Sequence, residues 1–355
     1  MFIEIADDVI DRAEGRDTNA IEVLRKLALA IRYGKHLVYV NHRNLDRIFR
    51  IDTLSTFDKS AYGVVKKNFS SLGGLKEWLK CQTIITYARK TGMEKSTLNS
   101  ITYIYINPSD NPDFEYYEET HLLVENLQDA DFYEYVVKYF QRKNKPRNTD
   151  YVFYALMGGG STATKVVEYE NKLKQHFLLA IVDSDKKYIN QIGVGDTARD
   201  VLASCRKTEF NSYCYVMKDV AEIENLIPYN WILNNPISKS AEIVNKNLNF
   251  DMSFFDMKKG LRIKVLRDDA VLKYWKGMFF SLLPSSVWDD IGQKCDEDVV
   301  LGGFGENIMK HILKSAAIYG CDDVDLTVSQ ENEWERIGEL ILTWSCCFSK
   351  RTLYS

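Results

Sequence analysis

The chain has 355 residues, 45% hydrophobic and 27% charged, with a formal net charge of −4. These fractions are ordinary for a folded globular chain and exclude wholesale disorder, while six prolines and 19 glycines exclude a collagen-like repeat. A slightly acidic chain does not coat nucleic acid by charge alone, so any such contact needs a local patch or a bridging metal ion.

At roughly 100–200 residues per domain, the length predicts two or three packed units. In the first, 1–118, Ala20, Ile21, Val23, Leu24, Leu27, Leu29 and Ile31 recur at spacings near three and four and predict a helix. Residues 36–40 read as a strand. Ser70-Ser71-Leu72-Gly73-Gly74 reads as a turn ahead of a helix over 75–87. Residues 100–106, rich in β-branched and aromatic side chains, read as a strand. Residues 107–113, all Pro, Asn, Asp or Ser, read as a linker.

The second unit, 119–230, alternates strand and helix. Apolar runs at 121–124, 151–157, 177–182 and 211–217 are separated by helical stretches near 130–142 and 164–175. Runs that are continuously apolar rather than alternating are buried on both faces, as in a parallel sheet covered by helices. The third unit, 231–355, is mainly helical, with breaks at Asn234-Asn235-Pro236, Pro284-Ser285-Ser286 and Gly302-Gly303 and a last helix near 331–344 carrying Trp334, Ile337, Ile341 and Trp344. The expected fold class is therefore α/β: a mostly parallel central sheet with helices on both faces, an α/β N-terminal region and a mainly helical C-terminal region.

Seven cysteines, at 81, 205, 214, 295, 321, 346 and 347, form no CxxC pair, which argues against a zinc ribbon and for a reducing compartment, the cytoplasm. No basic-then-apolar leader opens the chain and no 18-residue apolar stretch occurs, so no membrane association is expected. His36, His42, His121, His176 and His311 are too scattered to form a metal triad by spacing, and each reads as a structural or surface residue.

Ligands of open α/β sheets bind beyond the carboxyl ends of the strands. Glu125 follows the 121–124 run, with Asp129 a turn later. Asp183-Ser184-Asp185 follows the 177–182 run, and Lys218-Asp219, Glu222 and Glu224 follow the 211–217 run. Carboxylates gathered at one sheet edge cannot all ionise without a counter-cation, and hard oxygen donors of this kind suit Mg²⁺ or Mn²⁺. Taken singly, each acid also fits a cap, a turn or a helix start. Gly158-Gly159-Gly160-Ser161-Thr162-Ala163-Thr164-Lys165 is no P-loop, because Thr precedes the lysine and Val follows it. The glycine turn fits either a tight strand-to-helix turn or a phosphate held by backbone N–H groups. The Lys143–Arg147 stretch and Lys186-Lys187 read as the basic groups nearest the acids, as phosphate contacts or as solvated loops.

This order of strands and acids resembles the TOPRIM fold. Leu122-Leu123-Val124-Glu125, the strand ending in the glycine turn, and Leu178–Val182 followed by Asp183-Ser184-Asp185 match its pattern. The Glu-x-x-x-Asp spacing of Glu125 and Asp129, and Glu222-Ile223-Glu224-Asn225, resemble the OLD (overcoming lysogenisation defect) family nucleases and related TOPRIM effectors. The resemblance covers 119–230 and extends weakly to about residue 285.

It implies a metal-dependent nuclease that hydrolyses phosphodiesters of DNA or RNA, with Glu125, Asp183 and Asp185 catalytic. Glu125, Asp129, Asp183, Asp185, Glu222 and Glu224 would hold Mg²⁺ or Mn²⁺, and Lys276, in its Lys-Gly context, would act near the scissile phosphate. OLD proteins carry an ATPase ahead of TOPRIM, which this chain lacks. The resemblance then implies a regulated effector of prokaryotic antiphage defence with a separate ATPase subunit, nucleic acid as substrate and homo-oligomerisation open. The alternative is a catalytically inactive TOPRIM-like module that binds nucleic acid or nucleotide as a complex subunit. A topoisomerase or primase fits less well, for want of a catalytic-tyrosine domain or a zinc module.

Overall fold

The computed structural model describes residues 1–89, 93–99, 101–146, 149–208, 211–235, 250–279, 283–289, 291–319, 324–349 and 352–353. Pro236, Arg147, Cys321 and the start of the 100–106 run lie outside them. The fold is mixed α/β with parallel sheets flanked by helices.

The apolar 2–40 segment folds as β1 (Phe2–Ile5), α1 (Asp7–Glu14), α2 (Thr18–Arg32) and β2 (Leu37–Tyr39). Asp17 caps α2, its carboxylate accepting from the backbone N–H of Asn19 and Ala20. Then come α3 (His42–Arg50), α4 (Thr56–Lys67), α5 (Phe69–Trp78), β3 (Cys81–Ile85), β4 (Met93–Leu98) and β5 (Ile101–Ile106). The first sheet has the order β2-β1-β3-β5-β4, parallel except for β4. The expected turn at 70–74 lies inside α5, and the helix expected over 75–87 is instead the end of α5 followed by β3. Thr83, Ile84 and Ile85 are β-branched, and β3 sits between β1 and β5, where such side chains pack best on a pleated surface.

The second sheet is built from β6 (Thr120–Val124), β8 (Phe153–Met157), β9 (Leu178–Val182) and β10 (Ser212–Val216), all parallel in the order β10-β9-β6-β8. The short β7 (Thr149–Tyr151) precedes β8. The crossovers are α6 (Leu127–Asn144), α7 (Ser161–Leu173) and α8 (Asp196–Thr208). Period-two alternation divides the apolar runs between two cores. Leu123, Leu178, Ala180 and Cys214 face α7 and α8 with Ala163, Val167 and Val201. Leu122, Val124, Leu179, Ile181 and Tyr215 face the opposite side, toward Phe132, Val136 and Trp334. Burial on both faces explains the continuous apolar runs of β6 and β9, whereas the edge strand β8 keeps Tyr154 and Met157 exposed.

The C-terminal region supplies α9 (Tyr229–Leu233), β11 (Leu261–Arg262), α10 (Asp269–Met278), β12 (Val299–Leu301), α11 (Ile308–Tyr319), α12 (Val328–Ser345) and β13 (Cys346–Phe348). Helix α12 lies along α6 and also touches β1 and β3 of the first sheet. On its other side Trp344 stacks on Tyr213 of β10, ring centroids 5.9 Å apart. The layer of α6 and α12 therefore sits between the two sheets. Gly338 allows this approach, since a Cβ there would fall 2.4 Å from Cβ of Phe140. Glu333 of α12, fully buried, accepts from Tyr215 Oη and from the backbone N–H of Lys218 and Asp219 at 2.6–2.7 Å. β13 pairs antiparallel with β7. The six described cysteines are free thiols. No described helix is long and apolar enough to cross a membrane.

Candidate functional site

From β6 the chain leaves through α6 toward β8, and it returns through α7 on the opposite face to β9, on the other side of β6. The connections diverge between β6 and β9, and such a switch point opens a crevice at the carboxyl ends of the strands. Glu125 follows β6 there and Asp183 follows β9. A cavity of about 180 Å³ occupies the crevice, lined among others by Glu125, Asp129, Asp183, Asp185, Gly158 and Gly160.

Each acid is held by its own local turn. Asn126 starts α6 with a capping box, its N–H donating to Asp129 Oδ2 at 2.8 Å. Asp129 is thus both cap and cavity wall. The Asp183–Asp185 turn is pinned from the loop after β10: Ser184, fully buried, donates its N–H to Ala221 O and its hydroxyl to Val220 O, both at 2.8 Å. The N–H of Ile223 donates to Asp183 Oδ1 at 2.9 Å. Asp185 adopts a left-handed φ of 54°, and a Cβ at Gly195 would lie 2.1 Å from its Oδ2. Gly159 lies against Glu125 in the same way, its Cβ position 3.3 Å from Glu125 O. Asn225 bolts the Glu222–Asn225 segment down, donating to the carbonyls of Met252 and Phe255 at 2.7 and 2.8 Å.

A lysine that the sequence reading did not single out, Lys258, lies beside one of the acids. Lys258 Nζ lies 3.1 Å from Glu224 Oε1. Lys276 is exposed in the last turn of α10, and neither it nor Lys258 is among the residues lining the cavity. The turn at 256–260 sets the position of Lys258. The N–H of Gly305 donates to Lys258 O at 2.9 Å, and Gly260, at φ +79°, has no room for a side chain against Leu301 O. The Gly302-Gly303 break, read from the sequence as an interruption between helices, is the surface on which this turn rests. Both lysines stand near a glycine, at 260 and 277, and nothing local ranks them. The signal that could have done so is the second glycine pair at 302–303.

Burial and crowding raise the acids. Asp129 is pushed up to about 7, by burial first and then by the charges of Glu224 and Glu125, against the Asn126 N–H. Asp183 is held well above the usual carboxylate range by burial, then by Glu224, Glu222, Glu125 and Asp129. Burial, with Asp256 and Glu224, pushes Glu222 up to about 7. Burial also raises Glu224, against the pull of Lys258. Burial pulls the Lys258 ammonium the other way, but Glu224 and Glu222 hold it above its ordinary value. The charge of Glu224 is felt at Asp129 and Asp183, which ties these three acids into one electrostatic unit. Glu222 Oε2 and Glu224 Oε2 are buried without a hydrogen-bond partner. Buried carboxylate oxygens lacking donors are the kind of group a hard cation satisfies.

Of the basic groups read as neighbours of the acids, Lys186 and Lys187 lie in a small cleft with Glu222. Lys143 does not join them. It pairs with Glu331 and Glu335 of α12 at 2.8 and 2.7 Å, at the end of α6 remote from Asp129.

Among the described residues, the group of three His, Cys, Asp or Glu side chains whose ligand atoms cluster closely enough to hold a metal ion lies at the amino end of the same sheet, not among the acids. His121 of β6, Glu170 of α7 and His176, just beyond α7, place their ligand atoms within 4.8 Å of one another. Sequence spacing separates these histidines; the α7 crossover brings them together.

No family model, no curated protein and no solved structure matches this chain.

Proposed function

We propose that this chain is a metal-dependent nuclease of the TOPRIM kind, similar to the OLD family nucleases, hydrolysing phosphodiester bonds of DNA or RNA. The observation that carries the reading is the convergence of Glu125, Asp129, Asp183 and Asp185 on one cavity at the switch point of a parallel sheet. Those four residues, with Glu222 and Glu224 on either side of the cavity-lining Ile223, would hold Mg²⁺ or Mn²⁺. Such ions orient a water nucleophile and neutralise charge on the phosphate. Asp183, fixed by the Ile223 N–H, and Asp185, fixed against Gly195, hold their carboxylates still so that little reorganisation is needed. Lys258 places a positive charge beside these acids, where charge on a phosphate develops. Gly158, Gly160 and Ala163, at the glycine turn that opens α7, line the cavity, and such a turn suits a phosphate oxygen.

Control by a separate ATPase subunit, assembly into a homo-oligomer and a place in prokaryotic antiphage defence follow from the same resemblance. One observation favours a second reading, an inactive module that binds nucleic acid or nucleotide. The Lys258 ammonium already pairs with Glu224, a counter-charge that a metal would otherwise supply. A cleavage assay on single- and double-stranded DNA and on RNA, with Mn²⁺ or Mg²⁺, separates the two. Cleavage should fall at least a hundredfold in Asp183→Ala and Glu125→Ala, fall strongly in Lys258→Met and persist in Lys276→Met. Equal cleavage by wild type and Asp183→Ala would overturn the nuclease reading.

A further inference from the structure

We infer that His121, Glu170 and His176 form a second, separate metal site that takes a borderline transition ion, Zn²⁺ first among them. The argument starts from donor type. Two imidazoles and one carboxylate are the His₂Glu set that zinc accepts with its fourth position left open, whereas Mg²⁺ and Ca²⁺ take oxygen donors. Geometry agrees. His121 Nδ1 lies 3.1 Å and His176 Nδ1 3.3 Å from the same Glu170 oxygen, Oε2. Bonds of about 2.0–2.1 Å in a tetrahedral site put neighbouring donors about 3.3 Å apart.

The donors come from three stretches of chain held independently. His121 is fixed in β6 between Leu178 of β9 and Tyr154 of β8. Glu170 lies in the last turn of α7 and is buried. Lys174, left-handed at φ 53°, ends α7, and the chain turns back so that His176 faces Glu170, its carbonyl accepting from Asn211 Nδ2. The two imidazole rings are stacked, centroids 4.1 Å apart. The histidine side chains keep 13% and 17% of their surface exposed, enough for an ion to enter and for water to complete its shell.

This site stands at the opposite end of β6 from Glu125, four residues or roughly 13 Å along the strand. It is therefore independent of the nuclease reading. The ion would fasten the end of α7 to β6 at the amino edge of the sheet, a structural clasp.

The test uses the full chain, stripped with chelator and titrated with ZnCl₂ by calorimetry, with Tm followed in parallel. One equivalent should bind and raise Tm. His176→Gln and Glu170→Gln should each weaken that binding by more than the roughly 10–100-fold that loss of a mere supporting partner costs, while Asp183→Asn keeps it. Co²⁺ gives a readout on wild type alone: tetrahedral coordination produces visible d–d absorption, which excess Zn²⁺ should displace. Absence of both the zinc equivalent and the cobalt band in wild type overturns the site. So does zinc binding unchanged in both substituted chains, or lost in Asp183→Asn.

Discussion

Asp129 is the residue at which the chemistry of the acid cluster meets the stability of the fold. In an unfolded chain an Asp carboxyl titrates near 3.9, and in this fold it is pushed up to about 7. Between those pH values the folded state binds more protons than the unfolded one, so stability falls as pH rises through that window and is flat above it. Asp129→Asn removes the loss, and the Asn carbonyl oxygen can still accept from the Asn126 N–H. Each tenfold change in proton affinity is worth ~1.4 kcal/mol, so the gain is bounded at a few kcal/mol. In chelator-treated protein, Asp129→Asn should raise Tm at pH 8 and leave it nearly unchanged at pH 4; a gain that does not vary with pH would contradict the assigned cause. Glu125 and Asp183 were legible in the sequence because each directly follows an apolar run, and a run marks a strand end; Asp129, Asp185, Glu222 and Glu224 follow within a few residues. Lys258 and the His121–Glu170–His176 group were not, because tertiary contacts between distant segments set their positions. One depends on a turn resting on residues 301–303, the other on the doubling back after α7.

The strands β6 and β9 of the second sheet could be read from the chain because they are buried on both faces, leaving unbroken apolar runs, while the edge strand β8 keeps Tyr154 and Met157 exposed and α8 was not among the expected helices. The stretch 70–87 misled because its glycines and serines resemble a turn, and because β3 is a strand only in company with β1 and β5. Gly338 shows the opposite case, a residue whose role no local pattern reveals. Replacing Gly by Ala inside a helix ordinarily gains up to ~1 kcal/mol. Here the added methyl would meet Phe140 at 2.4 Å, and forcing a methyl into a packed contact costs ~1–3 kcal/mol. The second effect wins, so Gly338→Ala should lower Tm in a thermal melt. A raised Tm would show that α6 and α12 can separate at no cost.

The whole molecule is organised around the layer that both sheets share. The large apolar side chains near the C-terminus would suit either a core or a partner surface, and those described pack as core: Trp334, Trp344 and Phe348 are buried and Leu353 is partly buried against them. A chain ending after Gly338 should lose its cooperative melt or its solubility; a truncated chain with wild-type Tm would return the tail to the role of an interface. The same shared layer also governs the order in which the protein can fold. Thr120 at the start of β6 donates its hydroxyl to the carbonyl of Trp344, a contact spanning 224 residues. Both sheets leave the ribosome before the helix that covers their inner faces has been translated. Contacts so distant along the chain slow folding, and exposed sheet faces invite aggregation in the interval. Nascent chains arrested before residue 328 should therefore be cut readily by protease and retained by chaperones, with protection arriving in a single late step once α12 has emerged.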